Sequence, residues 1–189
     1  IEYSYGSYKN YKTTIKRLKN YITKKYNAND ISLTQIDYNF IYNFSQFLLL
    51  HTECNHNGMM KHIQRFKKIT NFCIKNNYIT KDPFFGFKIS FKKSNRVYVT
   101  NNELHTLQNI TLNSSLSKVR DIFLFACYTG LSYIDLYNLS LKNITKGIDN
   151  LQWIYVKRQK TNIPSNIPIL PAAFSILKRY KKEKNINRI

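Results

Sequence analysis

The chain has 189 residues, enough for one large domain or two small ones, and 43% of them are hydrophobic, so a packed core is possible. Thirty Lys and Arg residues against ten Asp and Glu residues give a formal net charge of +20. Self-repulsion at that charge opposes a compact fold unless a polyanion neutralises it, so the candidate partners are DNA, RNA and an anionic membrane.

Several other classes of protein are excluded by the same sequence. The longest apolar runs, 47–50 and 122–126, are far shorter than the roughly 20 residues that cross a bilayer. Three widely spaced cysteines do not suit a disulfide framework, and no signal peptide is visible at the N-terminus. We therefore expect a protein of the reducing cytoplasm that has no membrane partner.

The first half of the chain predicts three amphipathic helices. Apolar side chains recur every three to four residues over 8–26, 36–51 and 59–76, and Asp82-Pro83 forbids a longer third helix. Basic side chains occupy the faces of the first and third helices that point away from the apolar stripes: Lys9, Lys12, Lys16, Lys19, Lys61, Arg65, Lys68 and Lys75.

A linker is expected over residues 87–99. It contains Lys88, Lys92, Lys93 and Arg96. One interpretation is a basic strap that wraps a duplex and holds phosphates, and the other is an ordinary solvated tether. The sequence favours the two equally.

The second half opens on two predicted helices. Thr100 and Glu103 have the spacing of a capping box, and the helix that they begin runs to about Ile110. The next helix, 117–128, is apolar nearly all round, which is typical of a helix buried in a core. Thr129-Gly130 ends it, because glycine permits the left-handed geometry of a helix end.

A β-hairpin is predicted near the end of the chain. After a short amphipathic helix over 131–139, residues 151–156 are rich in β-formers and apolar residues alternate over 163–169. The turn between these two strands falls at 160–162. A last helix is predicted over 171–184, so the second half is mostly helical with a small sheet.

Three segments, in this order along the chain, resemble parts of the tyrosine recombinases, the phage-integrase family. The first half resembles their helical core-binding domain, and 76–84 resembles the usual exit from it. Residues 125–139 resemble the first catalytic box, in which Thr-Gly-Leu-Arg joins a buried helix to a helix with an acidic residue. Residues 157–162, followed by 167–170, resemble the hairpin that carries a catalytic lysine. The likeness extends to integrases of Bacteroides-type mobile genetic elements.

The resemblance implies a mainly α fold, with a helical core-binding, SAM-like domain and then the N-terminal part of the recombinase catalytic domain with a small β-hairpin or sheet. The implied boundaries are 1–90 for the DNA-binding domain, 91–99 for the linker and 100–189 for an incomplete catalytic domain. The implied function is site-specific DNA recombination or integration through a 3′-phosphotyrosyl intermediate. This chain would supply duplex DNA binding and part of the active site. No metal or other cofactor is implied, and the partners would be double-stranded DNA and further copies of the protein in a synaptic tetramer.

Four candidate catalytic residues follow from the resemblance. Lys160 stands at the position of the lysine that gives a proton to the leaving 5′-oxygen. Ser132 stands where the family has its first arginine, and a serine cannot supply that charge. Arg158 is the candidate replacement, since it lies two residues before Lys160 and is expected on the same strand face; the alternative is an ordinary surface residue. Asp135 matches the family's acidic position and is expected to orient a neighbouring base.

The family's second box, His-x-x-Arg, and its nucleophilic tyrosine do not occur between the hairpin and the last residue of the sequence. We therefore expect this chain by itself not to cleave DNA.

His62 and Arg65 have the spacing of the second box but precede the first box, so we interpret them as part of a DNA-facing helix. Four residues of metal-ligand type are crowded into one short segment, which favours a plain loop over a metal site: His51, Glu53, Cys54 and His56.

Basic residues from both halves are expected to contact phosphates, because the two domains of the family clamp a duplex. The candidates are Lys9, Lys12, Lys16, Lys61, Arg65, Lys68, Lys92, Lys93, Arg96 and Lys157.

One alternative to a recombinase is a non-catalytic DNA-binding or architectural protein derived from one, which Ser132 favours. Another is an RNA-binding protein, which predicts aromatic side chains exposed on a sheet, whereas the aromatics here recur mainly at helical spacing.

Overall fold

Helices dominate the structure, a computed structural model that describes residues 3–180. They are α1 (Tyr5–Tyr26), α2 (Tyr38–His51), α3 (His56–Lys75), α4 (Asn101–Asn109), α5 (Ser114–Thr129), α6 (Tyr133–Tyr137) and α7 (Pro171–Tyr180). Three strands, β1 (Ile144–Lys146), β2 (Gln152–Lys157) and β3 (Pro164–Pro168), form one antiparallel sheet. The chain divides after Arg96 into unit 1 and unit 2, each with its own hydrophobic core. The expected mainly helical fold with a small sheet is confirmed. The predicted extension of the last helix to residue 184 lies outside the described residues.

Side-chain caps set where the helices of unit 1 begin. Ser4, Asp37 and Asn55 accept hydrogen bonds from backbone amides in the first turns of α1, α2 and α3. Because a carboxylate oxygen of Asp37 accepts from the Phe40 amide at 2.7 Å, α2 begins at Tyr38 and not at the first apolar residue of the pattern.

Aromatic rings fill the core of unit 1. The ring of Tyr21 on α1 lies 5.2 Å from Phe40 and 5.4 Å from Phe44 on α2, measured between centroids. Phe66 on α3 contacts Phe44 at 5.9 Å, and Phe84, which follows α3, contacts Phe66 at the same distance. Such tilted and edge-to-face pairs stabilise a core beyond the apolar area that they bury. Residues 87–100 contain no helix or strand.

The prediction that the helix preceding Gly130 is buried all round is wrong. On α5 only Asp121, Leu124, Phe125 and Thr129 are buried, and the apolar side chains of Val119, Ile122 and Phe123 are 63%, 42% and 43% exposed. The physical reason is that α4 and α7, which make the most extensive contacts with α5 among the described residues, leave these three side chains partly uncovered.

The sheet of unit 2 contains one strand that the sequence did not predict. β2 lies in the middle, with β1 and β3 on either side, and its fully buried Ile154 is opposite Ile144 on one neighbour and Ile167 on the other. β1 has three residues, too few for an alternating pattern to be visible. The turn from β1 to β2 requires glycine, because a Cβ at Gly147 would lie 2.7 Å from the Trp153 ring.

Candidate functional site

The segment between α5 and α6 places Ser132 and Asp135 in direct contact. Gly130 ends α5 with a φ of 63°, and Ser132 caps α6. The Ser132 hydroxyl donates to Asp135 Oδ2 at 2.7 Å and accepts from the Asp135 amide at 3.4 Å. Asp135 is buried, with 8% of its surface exposed, so its carboxylate requires hydrogen-bond partners.

The hairpin turn supplies those partners. Arg158 Nη1 donates to Asp135 Oδ2 at 3.3 Å and to the Gly130 carbonyl at 2.9 Å, and the Gln159 amide donates to Asp135 Oδ1 at 3.0 Å. A further bond joins Asn138 Nδ2 to the Gln159 side-chain oxygen at 3.1 Å. The carboxylate of Asp135 therefore ties the turn to the segment that carries Ser132.

The expectation that Arg158 and Lys160 share a strand face is wrong. β2 ends at Lys157, and both residues lie in the turn. The Arg158 amide donates to the Ile163 carbonyl at 2.9 Å, and the Arg158 carbonyl accepts from the Asn162 amide at 2.7 Å. The turn directs Arg158 towards Asp135, while Lys160 is exposed.

The charges of this cluster are well defined. The Gln159 amide, followed by the Ser132 hydroxyl, lowers the pKa of Asp135 from its usual value, and Arg158 adds to the effect. The carboxylate is therefore ionised at neutral pH.

Among residues 3–180, no hydrogen bond of Arg158 Nε or Nη2 is found, and 29% of this side chain is exposed. A planar guanidinium held by one nitrogen presents its other donors to an anion.

Sequence reasoning missed Gln159 and Asn138, and no sequence signal could have found them. Gln159 acts through its backbone amide, which every residue except proline has. Asn138 contacts it only because the turn folds back over the end of α6.

A second buried carboxylate lies elsewhere in unit 2. Asp121 on α5 accepts hydrogen bonds from Arg120 at 3.0 Å, Arg179 at 3.1 Å and the Tyr180 hydroxyl at 2.9 Å. Because Arg179 and Tyr180 belong to α7, this cluster fixes α7 on α5. Its role is structural.

The cations of unit 1 are concentrated on two helices. α1 carries seven Lys or Arg residues and α3 carries five, and neither helix contains Asp or Glu, whereas α2 has no Lys or Arg. Among the predicted DNA contacts of unit 1, Arg65 is half-buried. The others are exposed: Lys9, Lys12, Lys16, Lys61, Lys68, Lys92, Lys93 and Arg96. Lys157 of unit 2 is exposed at the end of β2. The arrangement gives unit 1 a cationic surface on α1 and α3.

Two grooves run between α1 and α3, with volumes of about 690 Å³ and 430 Å³, and Tyr11, Lys68 and Asn71 line both. The Lys68 ammonium lies 5.1 Å from the centroid of the Tyr3 ring. Tyr3, mainly through a hydrogen bond, raises the pKa of Lys68. Lys68 is therefore a permanent cation within this surface at physiological pH.

The comparison with known protein families assigns unit 1. The profile of the phage integrase SAM-like domain matches residues 2–91. Residues 2–91 belong to the phage integrase SAM-like domain family. Together with the solved structures that share the fold, this match supports the recognition of the chain as a fragment of a phage integrase, or tyrosine recombinase. No curated protein matches the sequence.

Solved structures of integrases share the fold. A lambda integrase dimer bound to a COC′ core site has a TM-score of 0.73 and 18% identity, over 96% of this chain and 64% of that chain. A lambda integrase tetramer bound to a Holliday junction has a TM-score of 0.74 and 17% identity, over 96% and 52%. The Tn1549 transposon integrase in complex with transposon right end DNA has a TM-score of 0.64 and 14% identity, over 90% and 58%. The chain thus spans between about half and two thirds of the length of these proteins.

The side chain of His62, which with Arg65 was interpreted as part of a DNA-facing helix, lies inside the SAM-like domain. His62 is 7% exposed, and its Nδ1 is 2.8 Å from the Thr14 hydroxyl on α1. Burial, reinforced by Arg17 and Arg65, lowers the pKa of His62 to about 4, so the ring is neutral at pH 7. His62 is buried because it is on the same face of α3 as the core residues Met59 and Phe66.

The four metal-type residues around the start of α3 form no cluster. Between residues 3 and 180, no group of three His, Cys, Asp or Glu side chains is arranged to hold a metal ion. None of the helices in that range has the length and apolar character needed to cross a bilayer.

Proposed function

We propose that this chain supplies duplex DNA binding and part of the active site of an integrase that carries out site-specific recombination through a 3′-phosphotyrosyl intermediate. The observation that supports this most is the cluster of Ser132, Asp135 and Arg158. It brings a guanidinium from the hairpin to the box in which the family's first arginine is replaced by serine.

In this proposal Arg158 binds the scissile phosphate. A tyrosine hydroxyl attacks that phosphate, forms the 3′-phosphotyrosyl bond and releases the 5′-oxygen. Charge builds up on the non-bridging oxygens, and a guanidinium neutralises it with directed hydrogen bonds. Asp135 and the Gly130 carbonyl hold Arg158 through Nη1, so the remaining donors are oriented before DNA arrives. Ser132 contributes no charge and instead positions Asp135.

Lys160 is proposed as the general acid. It lies two residues after Arg158 in the tethered turn, and its ammonium is exposed. It would donate its proton to the leaving 5′-oxygen, which without that proton would depart as a poor, charged leaving group.

The domain roles are proposed as follows: 1–90 is the core-binding domain, 91–99 the linker, and 100–189 a portion of the catalytic domain. Cations of α1, α3 and the linker, together with Lys157, contact phosphates of one duplex.

We further propose that the protein works in the cytoplasm as part of a mobile genetic element and assembles into a synaptic tetramer. The solved tetramer of lambda integrase on a Holliday junction supports this assembly.

The catalytic assignments are tested in a cleavage-competent integrase that contains these residues. Lys160→Ala should slow cleavage of an ordinary duplex by about 10² or more and leave binding nearly unchanged. A substrate with sulfur at the bridging 5′ position should restore the rate, because a thiolate leaves without a proton. Arg158→Ala should not be rescued by that substrate, and Lys157→Ala serves as the control for a neighbouring binding cation. Equal loss of binding and cleavage in Lys160→Ala would reduce Lys160 to a binding residue.

A second candidate is a DNA-binding or architectural protein that has lost catalysis. Ser132 is the observation that favours it. In that case duplex binding would be intact, and Arg158→Ala and Lys160→Ala would change affinity alone.

A further inference from the structure

Hydrogen bonds connect the beginning of the basic linker to the first turn of α3. Asn57 Nδ2 donates to the Lys92 carbonyl at 2.9 Å, and Asn57 Oδ1 accepts from the Lys92 amide at 2.8 Å. His56 Nε2 lies 2.9 Å from the Ser90 carbonyl. The Asn57 side chain thus pairs with both backbone groups of one linker residue, as a neighbouring β-strand would.

A ring contact accompanies these bonds. The Lys61 ammonium on α3 lies 4.8 Å from the centroid of the Phe91 ring, within the range of a cation–π interaction. Lys92 and Lys93 are exposed. Within unit 1 the cations of the linker therefore start at a fixed place beside Lys61, one turn into α3.

We infer that Asn57 is a positioning residue for DNA binding, which holds the linker so that Lys92 and Lys93 extend the cationic surface of α3 along the phosphate backbone. This inference rests on the proposed duplex binding. Of the two interpretations of the linker, it corresponds to the basic strap that holds phosphates.

The physical basis is conformational entropy. A flexible basic segment must be ordered when it binds, and ordering the backbone of one residue weakens affinity by roughly tenfold. With Lys92 already fixed by Asn57, that cost is absent from the binding step. Removing the Asn57 side chain removes no positive charge and should still weaken binding.

The main experiment measures the dissociation constant of the chain for a fluorescently labelled, mixed-sequence DNA duplex by anisotropy. Asn57→Ala should raise the dissociation constant roughly tenfold. The matched control is Asn76→Ala, which removes a side-chain bond to the Phe72 carbonyl at the other end of α3 and should bind as the wild type does.

The decisive comparison repeats Asn57→Ala in a chain whose linker cations Lys92, Lys93 and Arg96 are replaced by alanine. If Asn57 acts through these cations, its removal should have no further effect there. The same weakening in both backgrounds would overturn the inference, because Asn57 would then contribute to DNA binding or folding in some other way. A wild-type chain that does not bind the duplex at all would instead refute the proposed function.

A second pair of variants avoids any change to α3. Lys92→Ala and Lys92→Pro both remove the ammonium, but only proline removes the amide that donates to Asn57. Lys92→Pro should bind more weakly than Lys92→Ala, and equal affinities would contradict the inference. In the absence of DNA, the Lys92 amide should exchange its hydrogen faster in Asn57→Ala than in the wild type, since its acceptor is lost.

Discussion

Acidification should destabilise unit 1 through one buried histidine. Folding lowers the pKa of His62 from the ordinary value of 6.5 to about 4, so the folded state binds this proton less readily than the unfolded state does. The contribution of the neutral ring to stability is complete above about pH 6.5 and is lost as the pH falls towards 4. Taking about 1.4 kcal/mol for each tenfold change in proton affinity, the loss is about 3 kcal/mol. For a domain of this size that is a large part of the free energy of unfolding.

The assay is urea unfolding at several pH values between about 7 and about 4.5, followed by far-ultraviolet circular dichroism. The comparison is between the wild type and His62→Gln, which is neutral at every pH. The variant should be less stable than the wild type near pH 7, and the difference should shrink by most of 3 kcal/mol at the acidic end. The single tryptophan, Trp153, lies in unit 2, so its fluorescence reports that unit separately.

The matched control is His51→Gln, because His51 is an exposed histidine of the same unit. Its stability should run parallel to that of the wild type across the pH range. Parallel curves for His62→Gln as well, or a titration of His62 near 6.5 by nuclear magnetic resonance, would refute the argument that burial beside two arginines keeps this ring neutral.

Three further outcomes are expected. Affinity for duplex DNA should fall by roughly 10³ or more between 50 and 200 mM salt if six or more phosphates are contacted, and a flat response in a titration would contradict the proposed cationic surface. Phe44→Ala should destabilise unit 1 by about 3–5 kcal/mol in urea unfolding because Phe44 is fully buried among aromatic rings, whereas the exposed neighbour Tyr42→Ala should change little. Asp135→Asn should destabilise unit 2 by about 1–3 kcal/mol at neutral pH, monitored by Trp153 fluorescence. That difference should vanish only as the pH falls through the lowered pKa of Asp135, and a pH-independent difference would count against the ionised carboxylate.

Local patterns in the sequence were sufficient to predict most of the helices. The capping box at Thr100 is confirmed, with the hydroxyl accepting from the Glu103 amide at 3.3 Å and the carboxylate accepting from the Thr100 amide at 2.8 Å. The left-handed helix end at Gly130 is confirmed as well. These features depend on residues three or four positions apart, so the sequence contains all the information that they require.

The errors concern features that depend on distant parts of the chain. Whether Val119 is buried depends on which helices pack on α5. The direction of Arg158 depends on the residue at which β2 ends, and that is decided by the pairing of β2 with β3. Asp135 was recognised from its position in a motif, but the identity of its partners needed the structure.

The separation of roles among the helices of unit 1 has an evolutionary consequence. α2 supplies six buried residues and no Lys or Arg, while most of the Lys and Arg residues of α1 and α3 are exposed. Exchanges at outward positions away from caps and cores usually change stability by less than about 0.5 kcal/mol. The outer faces of α1 and α3 are therefore free to vary in sequence while the buried residues preserve the scaffold, so the cationic surface and the stability of the fold are able to evolve independently.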